Sequence, residues 1–375
     1  MKDINFNTLS NRPRILLAPL DWGLGHATRC IPIILKLQQQ NCEVIIAAET
    51  GIKFLLEKEF PNLIFIHLAG YRIRYSYSKF CLPLRLVLQF PKLLYRVYVE
   101  KIWLNNVIKT HHIDGVISDN RFGLSNKNIP CVYITHQIKI KTNYRLTEYI
   151  IQKIHYHFIN KYNTCWVPDN EGELNFAGEL SHPAVLPKTS IKYIGPLSRF
   201  EKNETEIKYD LCIILSGPEP QRSLFEKIIL QQLKMFNGSV FIVRGLPGNL
   251  HQIELKSTNI EIKNHLPTSE LNTVLLQSKM IISRSGYTTV MDLIKLQKRA
   301  ILVPTPGQTE QEYLARYLHD NKIFYSAPQH NFSLLDELKK AMQFCFKKTT
   351  CSLKDYENVI SKFIFVLKNN NNKNI

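Results

Sequence analysis

The stretch from Met280 to Asp320 reads MIISRSGYTTVMDLIKLQKRAILVPTPGQTEQEYLARYLHD, and it decides the fold. Met280–Ser283 is a short apolar run that ends in a polar loop, the pattern of a strand buried on both faces. Thr288–Leu296 reads as a helix, Ala300–Val303 as a second strand and Gln311–Asp320 as a second helix. Strand followed by helix followed by strand calls for right-handed crossovers and a parallel sheet. The rhythm extends upstream through strands at Leu211–Leu215, Val240–Val243 and Ile260–Ile262 and helices at Arg222–Phe236 and Ser269–Gln277. A separate set occupies residues 14–135. Its strands are Arg14–Leu20, Glu43–Ala48, Leu63–His67, Gly115–Ser118 and Val132–Thr135, and its helices are His26–Gln40 and Ile52–Phe60. Two doubly wound α/β domains follow.

Polar Ser198–Lys208 has the composition of a linker. The expected organisation is an N-terminal domain at 1–198, a linker at 199–208 and a C-terminal domain at 209–350. A helix at 351–368 is expected to return to the first domain, followed by a disordered Asn/Lys-rich tail at 369–375. With 375 residues, 45% of them apolar, there is material for two cores, which excludes disorder as the main state. The 8 cysteines form no C-x-x-C pair and no zinc-type cluster, so free thiols and a cytoplasmic setting are expected, with no metal site. No run is long and apolar enough to span a membrane.

The net charge is +17, and it is concentrated. Residues 71–145 carry 13 basic and 3 acidic side chains. Within them Tyr71–Lys101 interleaves Arg72, Arg74, Lys79, Arg85, Lys92 and Arg96 with aromatic and Leu residues. Basic side chains that snorkel beside inserting apolar ones suit an anionic membrane surface. Nucleic acid is the competing polyanion, but no RNA- or DNA-binding signature accompanies the charge, so no nucleic-acid partner is expected.

Three loops follow strand carboxyl ends, the edge where open α/β sheets bind ligands. The first, Asp21-Trp22-Gly23-Leu24-Gly25-His26, puts two glycines and a histidine at a helix start. It lacks the third glycine of a dinucleotide fingerprint, which argues against NAD. The second, Arg284-Ser285-Gly286-Tyr287-Thr288-Thr289, opens a helix with donors suited to a diphosphate, and Asp292 follows one turn on as an acceptor for ribose hydroxyls. The third, Pro304 to Glu312, offers Gln308, Glu310 and Gln311 to a polyhydroxylated ligand.

Taken together, SRSGYTTVMDL, PTPGQTEQEYLA and the GLGH loop resemble the GT-B glycosyltransferases. They are most similar to the family 28 branch that contains the glucosaminyltransferase of the peptidoglycan lipid intermediate. The resemblance implies two facing Rossmann-like domains with a cleft between them, and a metal-independent inverting transfer of a sugar, N-acetylhexosamine by default, from a UDP-sugar co-substrate. It also implies a glycan or lipid-linked acceptor and peripheral attachment to the inner face of the plasma membrane, with no further cofactor. Carried over by motif, Ser285, Gly286, Thr288 and Thr289 hold the diphosphate with Gly25 opposite, Asp292 meets ribose, and Gln308 and Gln311 meet the sugar. Arg284 belongs to the same loop. Arg199, in the Gly195-Pro196-Leu197-Ser198-Arg199 segment, reaches the diphosphate from the hinge, while Arg244 and Leu266 lie on the uracil side. Ser216 and Gly217 occupy the place of a Gly-rich loop, although prolines replace small residues beside them. The acceptor hydroxyl needs a base, and His26, Asp119 and His136 are the candidates.

Other readings stay open. Gly23-x-Gly25-His26-x-x-Arg29-Cys30 also resembles nucleotide-sugar hydrolases, in which a histidine activates water. A UDP-sugar epimerase shares the architecture. A non-catalytic binder of nucleotide sugars or of nucleic acid is the alternative outside enzymes.

Overall fold

The structure, a computed structural model, describes residues 12–71, 82–142, 144–247, 253, 258–349 and 355–373. In the N-terminal lobe β1 (Arg14–Pro19), α1 (Leu24–Gln39), β2 (Glu43–Ala48), α2 (Thr50–Glu59), β3 (Ile64–His67) and α3 (Leu82–His111) come first. They are followed by β4 (Gly115–Asp119), β5 (Cys131–Ile134), α4 (Arg145–Ile159), β6 (Thr164–Val167) and β7 (Ser190–Tyr193). The C-terminal lobe runs β8 (Tyr209–Ile214), α5 (Gln221–Gln232), β9 (Val240–Val243), β10 (Ile260–Lys263), α6 (Thr268–Leu276), β11 (Ser278–Ser283) and α7 (Tyr287–Leu296). It continues with β12 (Ala300–Leu302), α8 (Thr309–Asp320), β13 (Tyr325–Ser326) and α9 (Leu334–Gln343), and the last helix is α10 (Asp355–Lys373).

Each lobe holds one sheet, and every strand pair in both is parallel. The strand orders are β3-β2-β1-β4-β5-β6-β7 and β10-β9-β8-β11-β12-β13. In each sheet the order reverses beside the first strand, between β1 and β4 and again between β8 and β11. A crevice opens at such a reversal because neighbouring crossovers leave on opposite faces. The GLGH loop and the end of β4 lie at one reversal. The loops after Ile214 and after Ser283 lie at the other. Both sheets are buried on both faces, so β1, β2 and β4 read as unbroken apolar runs.

The sequence reading misses β6, β7 and β13. They have four, four and two residues, and β7 is a half-exposed edge strand with no long apolar run. Helix α10 continues to Lys373, past the tail boundary expected at residue 369. It packs on the N-terminal lobe, where Ile360, Ile364 and Leu367 join the core beside α1. Lys36 pairs with Glu357 at 2.6 Å, and Phe363 stands edge-on to Trp166. A Cβ on Gly115 would come within 2.9 Å of the Phe363 ring, so only glycine at the start of β4 lets this helix approach. The chain between the lobes is exposed from Glu201 to Lys208. Cys30, Cys42, Cys131, Cys165, Cys212 and Cys345 are free thiols.

Candidate active site

The lobes meet where α1 faces α7. Gly23 has φ of 146°, a conformation an L side chain rarely adopts, and this turn starts α1 at Leu24. His26 therefore lies in the first turn, not at the helix start. Gly25 touches the other lobe: its carbonyl accepts from Thr288 Oγ1 at 3.2 Å, and a Cβ there would sit 2.9 Å from that hydroxyl. Gly286 caps α7 with no side chain bonded to the helix start, and a Cβ on it would meet nothing within 4 Å. An open, uncapped helix end with its N–H groups facing the opposite lobe is suited to an anion.

Beneath the N-terminal side lies a buried polar cluster. Arg29, one turn after His26, sends Nε to Asp119 Oδ2 at 2.8 Å and Nη2 to Asp119 Oδ1. The same guanidinium is 2.8 Å from His26 Nδ1 and 2.9 Å from His136 Nδ1. His26 Nδ1 is also 3.2 Å from Asp119 Oδ2. Burial alone would raise the Asp119 carboxyl, but Arg29 and then His26 outweigh it and hold it well below the usual carboxylate range. His136 crosses to the other lobe, with Nε2 2.9 Å from Glu310 Oε1 and its ring stacked 4.0 Å from that of Tyr287. Burial pulls His136 down, against the pull of Glu310.

Of the three candidate bases, Asp119 is fully buried and His136 nearly so, each committed to neighbours. Only His26 has access to the cleft, which corrects the expectation that Asp119 and His136 point into it. Arg29, Glu310 and Tyr287 complete the cluster. The sequence reading assigned no role to Arg29 or Tyr287 and gave Glu310 to a sugar. Helical i, i+3 spacing of Arg29 from His26 was the available signal for Arg29.

Several expected donor-site residues serve the scaffold instead. Arg284 is buried and turned away from the helix end, toward the carbonyls of Gln221 (2.9 Å) and Val303 (3.2 Å) and the Gln329 side chain (2.7 Å). Burial lowers it to about 10. It braces the loop that carries Ser216 and Gly217, which remain accessible, with Gly217 at φ 102°. Ser285 is buried and bonds the Gln311 carbonyl at 2.8 Å, while the Gln311 side chain accepts from the Thr305 amide at 2.9 Å. These bonds join the starts of α7 and α8. Arg244 is buried against Glu226 and Asn264, and Leu266 is buried beside it in sequence space two residues past Asn264. Thr288 and Thr289 on the first turn of α7, and Gln308 at the cap of α8, stay partly exposed.

Asp292 is buried at the hinge, where it accepts from Ser198 Oγ at 2.6 Å. Burial raises it to about 6, opposed by Arg199 and by the Ser198 bond. Arg199 bonds Thr268 at 3.2 Å, and Thr268 in turn bonds Glu59 of the N-terminal lobe. Both residues hold the lobes together here. Arg72, Arg74 and Lys79 lie outside the described residues, as does the side chain of Arg85. Lys92 and Arg96 lie on α3, beside exposed Leu94, Tyr95, Tyr98 and Ile102. Helix α4 adds exposed Leu146, Tyr149 and Ile150. Between the two helices runs a groove of about 380 Å³ lined by Phe90, Leu94, Ile154, Phe158, Lys153 and Lys161. Among the described residues no helix is long and apolar enough to cross a membrane.

Residues 213–362 match the glycosyltransferase family 28 C-terminal domain. The chain is a GT-B fold with a family 28 C-terminal domain. Over 212 residues it is 26% identical to the UDP-N-acetylglucosamine–N-acetylmuramyl-(pentapeptide) pyrophosphoryl-undecaprenol N-acetylglucosamine transferase of Buchnera aphidicola subsp. Schizaphis graminum (strain Sg). That match covers 52% of this chain and spans 58% of the length of the relative. Among solved structures, the glycotransferase of kitacinnamycin superposes with a TM-score of 0.64 at 13% identity, covering 96% of this chain and 94% of that one. MurG of Acinetobacter baumannii gives a TM-score of 0.52 at 14% identity, with 96% and 95% covered. The GT-B architecture shared with these two supports the reading of two facing lobes, and the family match falls on the lobe that contains the open helix end.

Proposed function

We propose that the protein is a glycosyltransferase that moves a sugar, an N-acetylhexosamine by preference, from a UDP-sugar to a hydroxyl of a glycan or lipid-linked acceptor. One observation carries the reading: the open start of α7 at Gly286 faces the first turn of α1 across the cleft, with Thr288 bonded to Gly25. A diphosphate there meets the amides and partial positive charge of the helix end, which stabilise the charge that grows on a leaving nucleoside diphosphate. This is how the reaction would run, with inversion, without a metal ion. Thr288, Thr289 and the Ser216–Gly217 loop are the side chains and backbone nearest to it in the C-terminal lobe. His26 supplies the contact from the N-terminal lobe. The match to the Buchnera transferase supports UDP-N-acetylglucosamine as donor and a lipid-linked acceptor.

The exposed aromatic and basic residues of α3 and α4 support peripheral binding at an anionic membrane, each basic group adding about 1 kcal/mol near the surface. A thermal-shift screen against nucleoside diphosphates tests the donor. UDP at about 100 times its dissociation constant should add about 2.7 kcal/mol of stability. No shift with any nucleoside diphosphate or nucleotide sugar would remove the assignment.

A further inference from the structure

We infer that Arg29 is a positioning residue that fixes the His26 proton on Nε2, so that His26 offers the cleft an N–H donor for a phosphate oxygen. The inference rests on the nucleotide reading above for its ligand, and on geometry alone for its proton. A guanidinium has five N–H groups and no lone pair, so any ring nitrogen at bonding distance from it must accept. Arg29 spends Nε and one Nη2 hydrogen on the two oxygens of Asp119. Its remaining Nη2 hydrogen faces His26 Nδ1 at 2.8 Å, and Nη1 faces His136 Nδ1 at 2.9 Å. Both rings then carry their single neutral-state proton on Nε2.

His136 provides an independent check. Its Nε2 lies 2.9 Å from Glu310 Oε1, a carboxylate oxygen that needs an N–H opposite it. The same fork therefore accounts for both rings with no donor facing a donor. The rival partner for His26 Nδ1 is Asp119 Oδ2, at a longer 3.2 Å. That oxygen already accepts from Arg29 Nε at 2.8 Å and lies 3.7 Å from Cys30 Sγ. Were the proton on Nδ1, His26 would pair with Asp119 and present a basic Nε2, the arrangement of a general base. Arg29 disfavours that arrangement by occupying Nδ1. The free edge of the ring belongs to the residue next to Gly25, which touches Thr288 at the start of α7. Phosphate oxygens only accept, so a neutral imidazole N–H there completes a cradle whose other half is the helix end.

The test is long-range proton–nitrogen NMR on the full chain labelled with ¹⁵N-histidine, at a pH above the histidine titration range. His26→Gln and His136→Gln assign the two rings. Both rings should carry the proton on Nε2. In Arg29→Met the His26 proton should move to Nδ1, toward Asp119, while His136 keeps its proton on Nε2 because Glu310 still accepts it. A global disturbance would not split the two rings in this way. A wild-type His26 protonated on Nδ1 overturns the inference before any variant is made, so it stays testable if Arg29→Met fails to fold. An unmoved His26 proton in a folded Arg29→Met also overturns it. UDP is the ligand probe. Bound UDP should shift the His26 Nε2–H signal, and UDP that binds by calorimetry but leaves that signal unmoved overturns the donor role. UDP that fails to bind removes the nucleotide reading and leaves the proton assignment standing.

Discussion

Replacing Arg29 by Met should destabilise the protein by about 3–5 kcal/mol near neutral pH, the cost of leaving one partner of a buried ion pair uncompensated. The magnitude follows from Asp119, which has no solvent exposure and takes two hydrogen bonds from the guanidinium. His26, 3.2 Å away, is the one remaining ring that can partly replace the lost cation, which favours the lower end of the range. The pH dependence changes sign. In the native protein Asp119 is held below its unfolded value, so its contribution is present above the unfolded carboxylate range near 4 and is lost as pH falls through the folded value. In Arg29→Met the unpaired buried carboxyl rises above its unfolded value. Its contribution then survives at low pH and is lost as pH rises, so the deficit against wild type should shrink toward about pH 5. Urea unfolding followed by circular dichroism at a series of pH values measures this. Arg29→Met/Asp119→Asn, which removes the orphaned charge, should recover at least about half of the loss. A deficit under about 1 kcal/mol at neutral pH, no more than a surface pair is worth, would refute the reasoning. So would a deficit that grows as pH falls.

Asp292, raised from 3.8 to about 6 by burial, favours folding below its unfolded value and loses that contribution as pH rises through about 6. Asp292→Asn should therefore stabilise the protein by up to about 3 kcal/mol at neutral pH and flatten its stability between about pH 4 and 7; a destabilised variant across that window would contradict this. Gly25→Ala drives a methyl against Thr288 Oγ1, so it should weaken UDP binding by about 1–3 kcal/mol, as read by calorimetry, with unchanged affinity counting against the cleft site. Glu310→Leu leaves the His136 Nε2–H without its acceptor and should cost about 1–3 kcal/mol in the same urea assay, whereas Glu310→Gln should cost less. Tyr95→Asp with Tyr98→Asp should abolish co-sedimentation with anionic vesicles while leaving UDP binding intact, and undiminished sedimentation would place any membrane contact elsewhere.

The two-lobe plan was legible because fully buried parallel strands have to be apolar along their whole length, and β1, β2, β4, β8, β9 and β11 all are. The positions of His26 and Gly286 were legible for the same reason, since each follows a readable strand directly. The shorter strands β6, β7 and β13 gave too few residues for a period to show. The roles of Arg284 and Ser285 were misread because a motif shows residue type and spacing but not direction. Arg284 points under the loop after β8, and Ser285 points at α8.

Local chemistry, then, was written in the chain: where strands end, where helices start, and where a glycine leaves room for a ligand. Which side chains share a proton was decided by tertiary structure. Arg29 meets Asp119 across 90 positions, and His136 meets Glu310 across 174. Hydrogen bonds act over about 3 Å in space whatever the distance along the chain. Only the stacking of β4 and β5 beside β1, and the approach of α8 from the other lobe, could bring those donors and acceptors to one point.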